Sequence, residues 1–318
     1  MADSLPLVLV GVALALHLLG ERRAAVLTGR PRNKRARSRA LTFYAGLLAI
    51  FLALGTPIET LAEKLLWAHM IEHLLLLLVA APLIVLGAPW MSLWRPLPLR
   101  LRRALAKTVM RSTYFAPVRA LSRVLARPLG AWLVFSVNLV LWHLPILYGL
   151  TLRNNSVHVL EHVTFLLFGV VFWAQVINSP PAKASLSYAG RIGYVAAAII
   201  PNVGLSMLLA FSSSPLYAPY AHLAHRPGGI SALADQQIAG GIMWSAGDLP
   251  FGIAIALLVH RWLAEHEART ARLPGPLAAA GEGSPAGEGP PGGNQALEPD
   301  LEAPAPTTSS SQAGLGLT

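Results

Sequence analysis

The chain reads as an all-α membrane protein, a bundle of seven transmembrane helices, and three observations lead there. Of its 318 residues 54% are hydrophobic and only 13% charged, too apolar for an ordinary water-soluble domain of this length. The apolar residues gather into seven stretches long enough to cross a bilayer. The charged residues gather between those stretches, mostly on alternate connections.

A bilayer core of roughly 30 Å calls for about 20 mostly apolar residues in a helix, because only hydrogen bonds made within the segment satisfy its backbone there. The stretches run approximately from Leu5 to Gly20, Ala40 to Leu54, Trp67 to Leu86, Leu129 to Leu147, Ser156 to Ile177, Arg191 to Ser212 and Gln237 to Trp262. The second is the shortest. Trp67, Trp132, Trp142, Trp173 and Trp262 fall near their ends, where an amphipathic ring suits the boundary between lipid and water.

Basic residues set the expected orientation. Eight Lys or Arg lie between Glu21 and Arg39 and nine between Gly87 and Pro128; with Lys183, Arg191, Arg261, Arg269 and Arg272 they make 22 of the 25 on one side. Only Lys64, Arg153 and Arg226 fall on the other. The crowded side is expected to be cytoplasmic, which puts the N-terminus outside and the C-terminus inside. Asp3 precedes the first stretch and Arg22 and Arg23 follow it, the pattern of an outside-to-inside helix rather than of a cleaved signal peptide.

The domain boundaries follow. Residues 1–272 make a seven-helix transmembrane domain with a basic cytoplasmic loop at 87–128. Within that loop, Leu99 to Arg111 and Val118 to Arg127 alternate basic and apolar residues at helical spacing, as helices lying on a membrane surface do. Anionic lipids are the expected partners of the loop and nucleic acid is not, since headgroups explain the basic run with nothing added. Residues 273–318 are rich in Pro, Gly and Ala and hold no Lys or Arg, a composition expected to stay disordered. With no cysteine in the chain, thiol nucleophiles, disulfides, zinc ribbons and iron–sulfur clusters are excluded, so any metal must be held by His, Met, Asp or Glu.

Topology sorts the ten histidines. His17, His260 and His266 fall toward the inner side, where the first two read as polar tips near headgroups. His69, His73, His143, His158, His162, His222 and His225 fall toward the outer side. The third and fifth stretches open with one pattern, His69-Met70-Ile71-Glu72-His73 and His158-Val159-Leu160-Glu161-His162. Residues four apart lie about 40° apart around a helix and roughly 6 Å along it, so each helix presents two imidazoles on one face. Each Glu is near enough to that face to ligate a cation or to orient an imidazole through its other nitrogen. A lone histidine in an outer turn is usually just packed or bonded to water. Two matching patterns at one depth are costly inside a membrane unless they meet a partner or a cation.

His69, Glu72, His73, His158, Glu161 and His162 are therefore candidate metal ligands, with His143 at the same level as a fifth imidazole ligand and Asp235, just before the seventh stretch, as a weaker candidate ligand. Imidazole suits copper, zinc, iron and nickel, and thioether favours copper(I). Met70, Met207 and Met243 lie near enough to add a thioether, although methionine in apolar helices is usually core filler. His222 and His225 read either as an uptake site in an exposed loop or as solvated side chains. Asn138, Asn202 and Asp248 are further polar residues inside the stretches, with Asp248 expected to bond between helices, cap a local break or relay protons.

The order of motifs resembles the CtaG family of bacterial assembly factors for caa-type cytochrome c oxidase. The resemblance is carried by the two His-x-x-Glu-His patterns, by Trp142-His143-Leu144-Pro145 between them, by Ser214-Pro215-Leu216-Tyr217, and by the run Asp235-Gln236-Gln237-Ile238-Ala239-Gly240-Gly241-Ile242-Met243-Trp244. It covers roughly residues 5 to 262 and implies a multi-pass protein of the bacterial plasma membrane that aids maturation of the oxidase by helping copper reach its metal centres. Implied partners are oxidase subunits and an extracytoplasmic copper donor. His69, Glu72, His73, His143, His158, Glu161, His162 and Asp235 occupy the motif positions. This reading expects a metallochaperone without turnover. Two rivals stay open: an intramembrane metalloprotease, since His-x-x-Glu-His is also a zinc motif, and a haem-binding electron carrier with axial His pairs.

Overall fold

The structure is a computed structural model and describes residues 4–29, 33–180, 184–223 and 225–270. Among these residues every regular element is a helix. The expected disordered tail at 273–318 lies outside them, as do Lys183 and Arg272.

The first helices outrun their apolar stretches. Helix α1 spans Ser4–Thr28 and α2 spans Lys34–Leu54, where the Asn33 side chain accepts from the Ala36 amide at 2.8 Å and starts the helix inside the basic run. The second crossing is thus not the short one. A brief α3 (Pro57–Ala62) leads to α4 (Leu66–Leu74), which passes through one wide π turn, Leu75–Ala80, into α5 (Ala81–Gly87). Helices α6 (Trp90–Trp94), α7 (Leu99–Arg111) and α8 (Ala116–Leu125) form the basic connection; α7 and α8 have no buried residue, as surface-lying amphipathic helices should not.

The remaining helices are α9 (Pro128–Trp142), α10 (Pro145–Thr151), α11 (Asn155–Val176), α12 (Tyr188–Ala210), α13 (Ala218–Ala221) and α14 (Ala232–Thr270). Among the described residues six helical stretches are long and apolar enough to cross a membrane, and the pair Thr113–Leu125 and Pro128–Trp142, bent by 98°, makes a seventh only if the two are counted as one broken span. The protein is a multi-pass membrane protein. The fourth stretch forms the shortest helix of the seven: α9 has 15 residues, about 22 Å at 1.5 Å per residue. Pro128 opens α9 and Pro145 opens α10, positions that suit a residue without an amide hydrogen, and Pro145 divides the longer apolar stretch into separate helices.

The π turn follows from Pro82. In the turn the Ala81 amide donates to the Leu76 carbonyl, five residues back. Continuing that pattern, residue 82 would serve the Leu77 carbonyl, but proline has no N–H to give. The Trp173 indole of α11 supplies the missing donor at 3.0 Å. Close by, a Cβ on Gly169 would meet the Ala81 Cβ at 2.9 Å and the Leu77 carbonyl oxygen at 3.2 Å, so only glycine lets α11 approach this closely. These two contacts fix the height of α11 against the span formed by α4 and α5, and hence the relative height of the two His-x-x-Glu-His patterns. An aromatic layer of Phe135, Phe172, Trp173, Tyr194 and Phe251 fills the core beyond them, with Phe135 and Phe172 stacked at 4.1 Å.

Candidate metal centre

His69 is the fourth residue of α4 and His158 the fourth of α11, so both patterns stand equally far from their helix starts. The starts are made differently. Asn154 caps α11 locally, accepting from the Ser156 amide at 2.9 Å and the Val157 amide at 3.3 Å. Helix α4 has no cap of its own; Asp235, in the first turn of α14, accepts from the Leu66 amide at 2.9 Å and the Trp67 amide at 3.1 Å. Arg226 Nε lies 3.7 Å from the same carboxylate. A negative charge there also suits the positive end of the α4 dipole.

With the helices side by side, each carboxylate faces the imidazoles of the other. Glu161 Oε2 lies 3.4 Å from His69 Nε2, and its Oε1 lies 3.5 Å from His73 Nε2. Reciprocally, Glu72 Oε2 lies 3.7 Å from His162 Nε2. Ring centroids are 4.4 Å apart for His69 and His73, 4.2 Å for His158 and His162, and 5.3 Å for His69 and His158. One ligand atom from each of His69, His73, Glu161 and His162 falls within 4.8 Å of the others, and the same holds for His69, Glu72, His158 and His162. All six residues are buried except His158, which is half-buried.

The shell is poorly satisfied by hydrogen bonds. Both ring nitrogens of His69 and His73, both oxygens of Glu72 and Glu161, and Nε2 of His162 are buried without a hydrogen-bond partner. Leaving such groups unmet costs about 1–3 kcal/mol each, more for charged ones. Converging nitrogen and carboxylate oxygen donors are the chemistry that a transition-metal cation takes up, so the donor set fits a metal ion. Phe165 closes the shell from below, its ring 4.3 Å from that of His73.

His143 stands beside this shell, its ring centroid 5.9 Å from that of His73 and outside both four-residue groups. Its Nδ1 lies 2.7 Å from the Leu139 carbonyl oxygen, which only accepts, so Nδ1 carries the hydrogen and Nε2 keeps its lone pair. That Nε2 faces the Met70 sulfur at 3.3 Å. A bare imidazole nitrogen next to a thioether is a soft donor pair at the edge of the harder shell. Asp235 lies elsewhere: both of its oxygens are taken up by the α4 amides, one of them also facing Arg226, and neither group of candidate ligands includes it. It places the helix that carries His69 and His73. His222 and His225 are exposed and belong to neither group.

Other residues support the shell without having been singled out as ligands. The Tyr148 ring lies 5.0 Å from that of His69. Tyr217 donates to the His143 carbonyl at 3.0 Å and Tyr220 to the Ala62 carbonyl; burial pushes both phenols up, which keeps them protonated donors. Arg226 also donates to the Tyr220 carbonyl. Gln236 accepts from the Leu216 amide at 2.7 Å and so ties α14 to the loop that carries Tyr217. Through Tyr217 and Gln236 the Ser-Pro-Leu-Tyr and Asp-Gln-Gln runs brace the loop beside His143. Elsewhere, His17 is no headgroup tip: it is 3% exposed, lies 3.2 Å from the Tyr44 hydroxyl and packs on Phe43, because α2 covers it. Asn202 joins α12 to α14 by donating to the Asp248 carboxylate at 2.9 Å and the Met243 carbonyl at 3.1 Å.

The fold and this cluster define a multi-pass membrane protein built around a buried histidine and glutamate shell. The chain belongs to the cytochrome c oxidase caa3 assembly factor family (Caa3_CtaG), whose profile matches residues 16–265. It is similar to uncharacterized proteins of Mycobacterium bovis and Mycobacterium tuberculosis, each 26% identical over 254 residues, which is 80% of this chain and 38% of the relative. An uncharacterized protein of Mycobacterium leprae is 26% identical over 230 residues, 70% of this chain and 34% of the relative. The chain thus spans little more than a third of the length of these curated relatives. No solved structure matches it.

Proposed function

We propose that this protein is an assembly factor of the bacterial plasma membrane that binds copper in the shell of His69, Glu72, His73, His158, Glu161 and His162 and passes it toward the metal centres of cytochrome c oxidase. Family membership supports the assembly role. The observation that carries the copper reading is the set of buried nitrogen and oxygen atoms, converging from two helices, that no hydrogen bond satisfies.

Copper is favoured over zinc by the Met70 sulfur and the bare His143 nitrogen beside the shell, a soft pair suited to copper(I). In the orientation expected from the basic loops, the shell lies near the extracytoplasmic face, with the N-terminus outside and the C-terminus inside. Copper would be taken from an extracytoplasmic donor and handed to oxidase subunits, with copper as cargo and no turnover. A zinc protease would use its glutamate to activate water beside the histidines of its own motif. Here each glutamate faces the histidines of the other helix, as a ligand would.

The test is metal analysis of the full chain purified in detergent from copper-supplemented cells, beside a His73→Ala plus His162→Ala double variant. Wild type is expected to carry copper and the variant to lose it. A Soret band would favour haem, and bound zinc with proteolysis would favour the enzyme. In the source cell, deletion should lower assembled oxidase activity while oxidase transcripts persist; normal oxidase would refute the assembly role.

A further inference from the structure

We infer that the shell is divided between two ions, both monovalent, rather than centred on one. This rests on the copper reading above. The two groups of candidate ligands share His69 and His162. An imidazole nitrogen ligates one ion, so if both groups are filled each shared histidine must go to one side. Only two divisions give two sets of three. One joins His69 and His73 with Glu161, and His158 and His162 with Glu72. The other joins His73, Glu161 and His162, and His69, Glu72 and His158.

The contacts choose the first. Glu161 reaches His69 at 3.4 Å and His73 at 3.5 Å with separate oxygens, and Glu72 reaches His162 at 3.7 Å. Each ion then takes both histidines of one helix and the glutamate of the other, and exchanging the two helices exchanges the two sets. The repeated motif is what such a division requires. A single four-coordinate ion would use at most four donor atoms and leave carboxylate or imidazole atoms of this buried shell unmet.

Charge identifies the ions. Ligating imidazoles are neutral and ligating carboxylates ionised, so the six residues together carry two negative charges. Two monovalent cations make the shell neutral. Two divalent cations would bury an uncompensated double positive charge, which is strongly unfavourable away from water. Among the metals that imidazole suits, the monovalent one is copper(I). A divalent metal such as zinc reaches neutrality with one ion.

The experiment is an anaerobic titration of the full chain in detergent with copper(I), in competition with a chromophoric copper(I) chelator, and a parallel titration with zinc. Wild type is expected to bind two copper(I) but one zinc. Removing both histidines of one helix, His69→Ala plus His73→Ala or His158→Ala plus His162→Ala, should leave one copper. Removing one histidine from each helix, His73→Ala plus His162→Ala, deletes as many ligands but should leave none tightly held. The isosteric Glu72→Gln and Glu161→Gln, which keep packing intact if the alanine variants fail to fold, should each halve the copper bound. One copper in wild type, or two zinc, overturns the division while leaving the copper reading in place. No copper in wild type overturns the copper reading itself.

Discussion

The two copies of His-x-x-Glu-His occupy the same place on their helices and live in different surroundings. On α4, His69, Glu72 and His73 are all buried, and the helix start is held by a carboxylate 169 positions away. On α11 the start is held by the adjacent Asn154, His158 is half-buried, and His158 and His162 line a cavity of about 320 Å³ shared with α1 and α2. The motif dictates which donors appear and at what spacing. Tertiary neighbours dictate how firmly each pair is held: one helix start is capped by a distant residue and the other by its own loop.

Cutting the distant support is the strongest way to break this contrast. Asp235→Ala removes acceptors from the Leu66 and Trp67 amides, leaves the first of these buried, and takes the carboxylate away from Arg226. Losing the cap together with a buried hydrogen bond should cost about 2–4 kcal/mol. The expected outcome is a clear drop in apparent melting temperature in detergent, with weaker metal binding at His69 and His73. A variant with wild-type melting and metal binding would show that α4 is held by packing alone. The matching change on the other helix, Asn154→Ala, removes an exposed local cap and should cost about 1 kcal/mol. Because Trp173 and Gly169 still fix the height of α11, its metal content should not change. Equal effects of the two substitutions would remove the distinction between the helices.

Why Asp235 was legible only in part is instructive. Its place just before an apolar stretch put it at the level of the histidines, but nothing along the chain says that both its oxygens meet amides 168 and 169 positions away. Long-range pairing is invisible to spacing. The histidine pairs were legible because helical geometry alone puts residues four apart on one face, and their meeting across two helices was legible from equal depth. All seven apolar stretches followed from hydropathy, but the length of the fourth helix did not, since the apolar run continues through Pro145 although the helix stops at Trp142. His17 was misread for a similar reason: only the packed bundle shows that Tyr44 and Phe43 cover it. The π turn needed both Pro82 and the Trp173 donor, one readable and the other not.

The smallest effect sharpens the comparison at the one point where α4 has something that α11 lacks. The residue after the first histidine is Met70 on α4 and Val159 on α11, and Met70 lines a small cavity together with His73 and His143. Met70 is fully buried, with its sulfur 3.3 Å from His143 Nε2. Met70→Leu conserves volume and should change stability by less than about 1.5 kcal/mol. It also removes a soft donor while leaving every nitrogen and carboxylate in place. Copper(I) affinity should therefore fall at the α4 side and zinc affinity should stay, because thioether sulfur discriminates between the two metals where imidazole does not. Competition titrations of wild type and variant with both metals measure this. An equal change for copper and zinc would mean that Met70 acts through packing, and no change for either would make it core filler against which His143 merely rests.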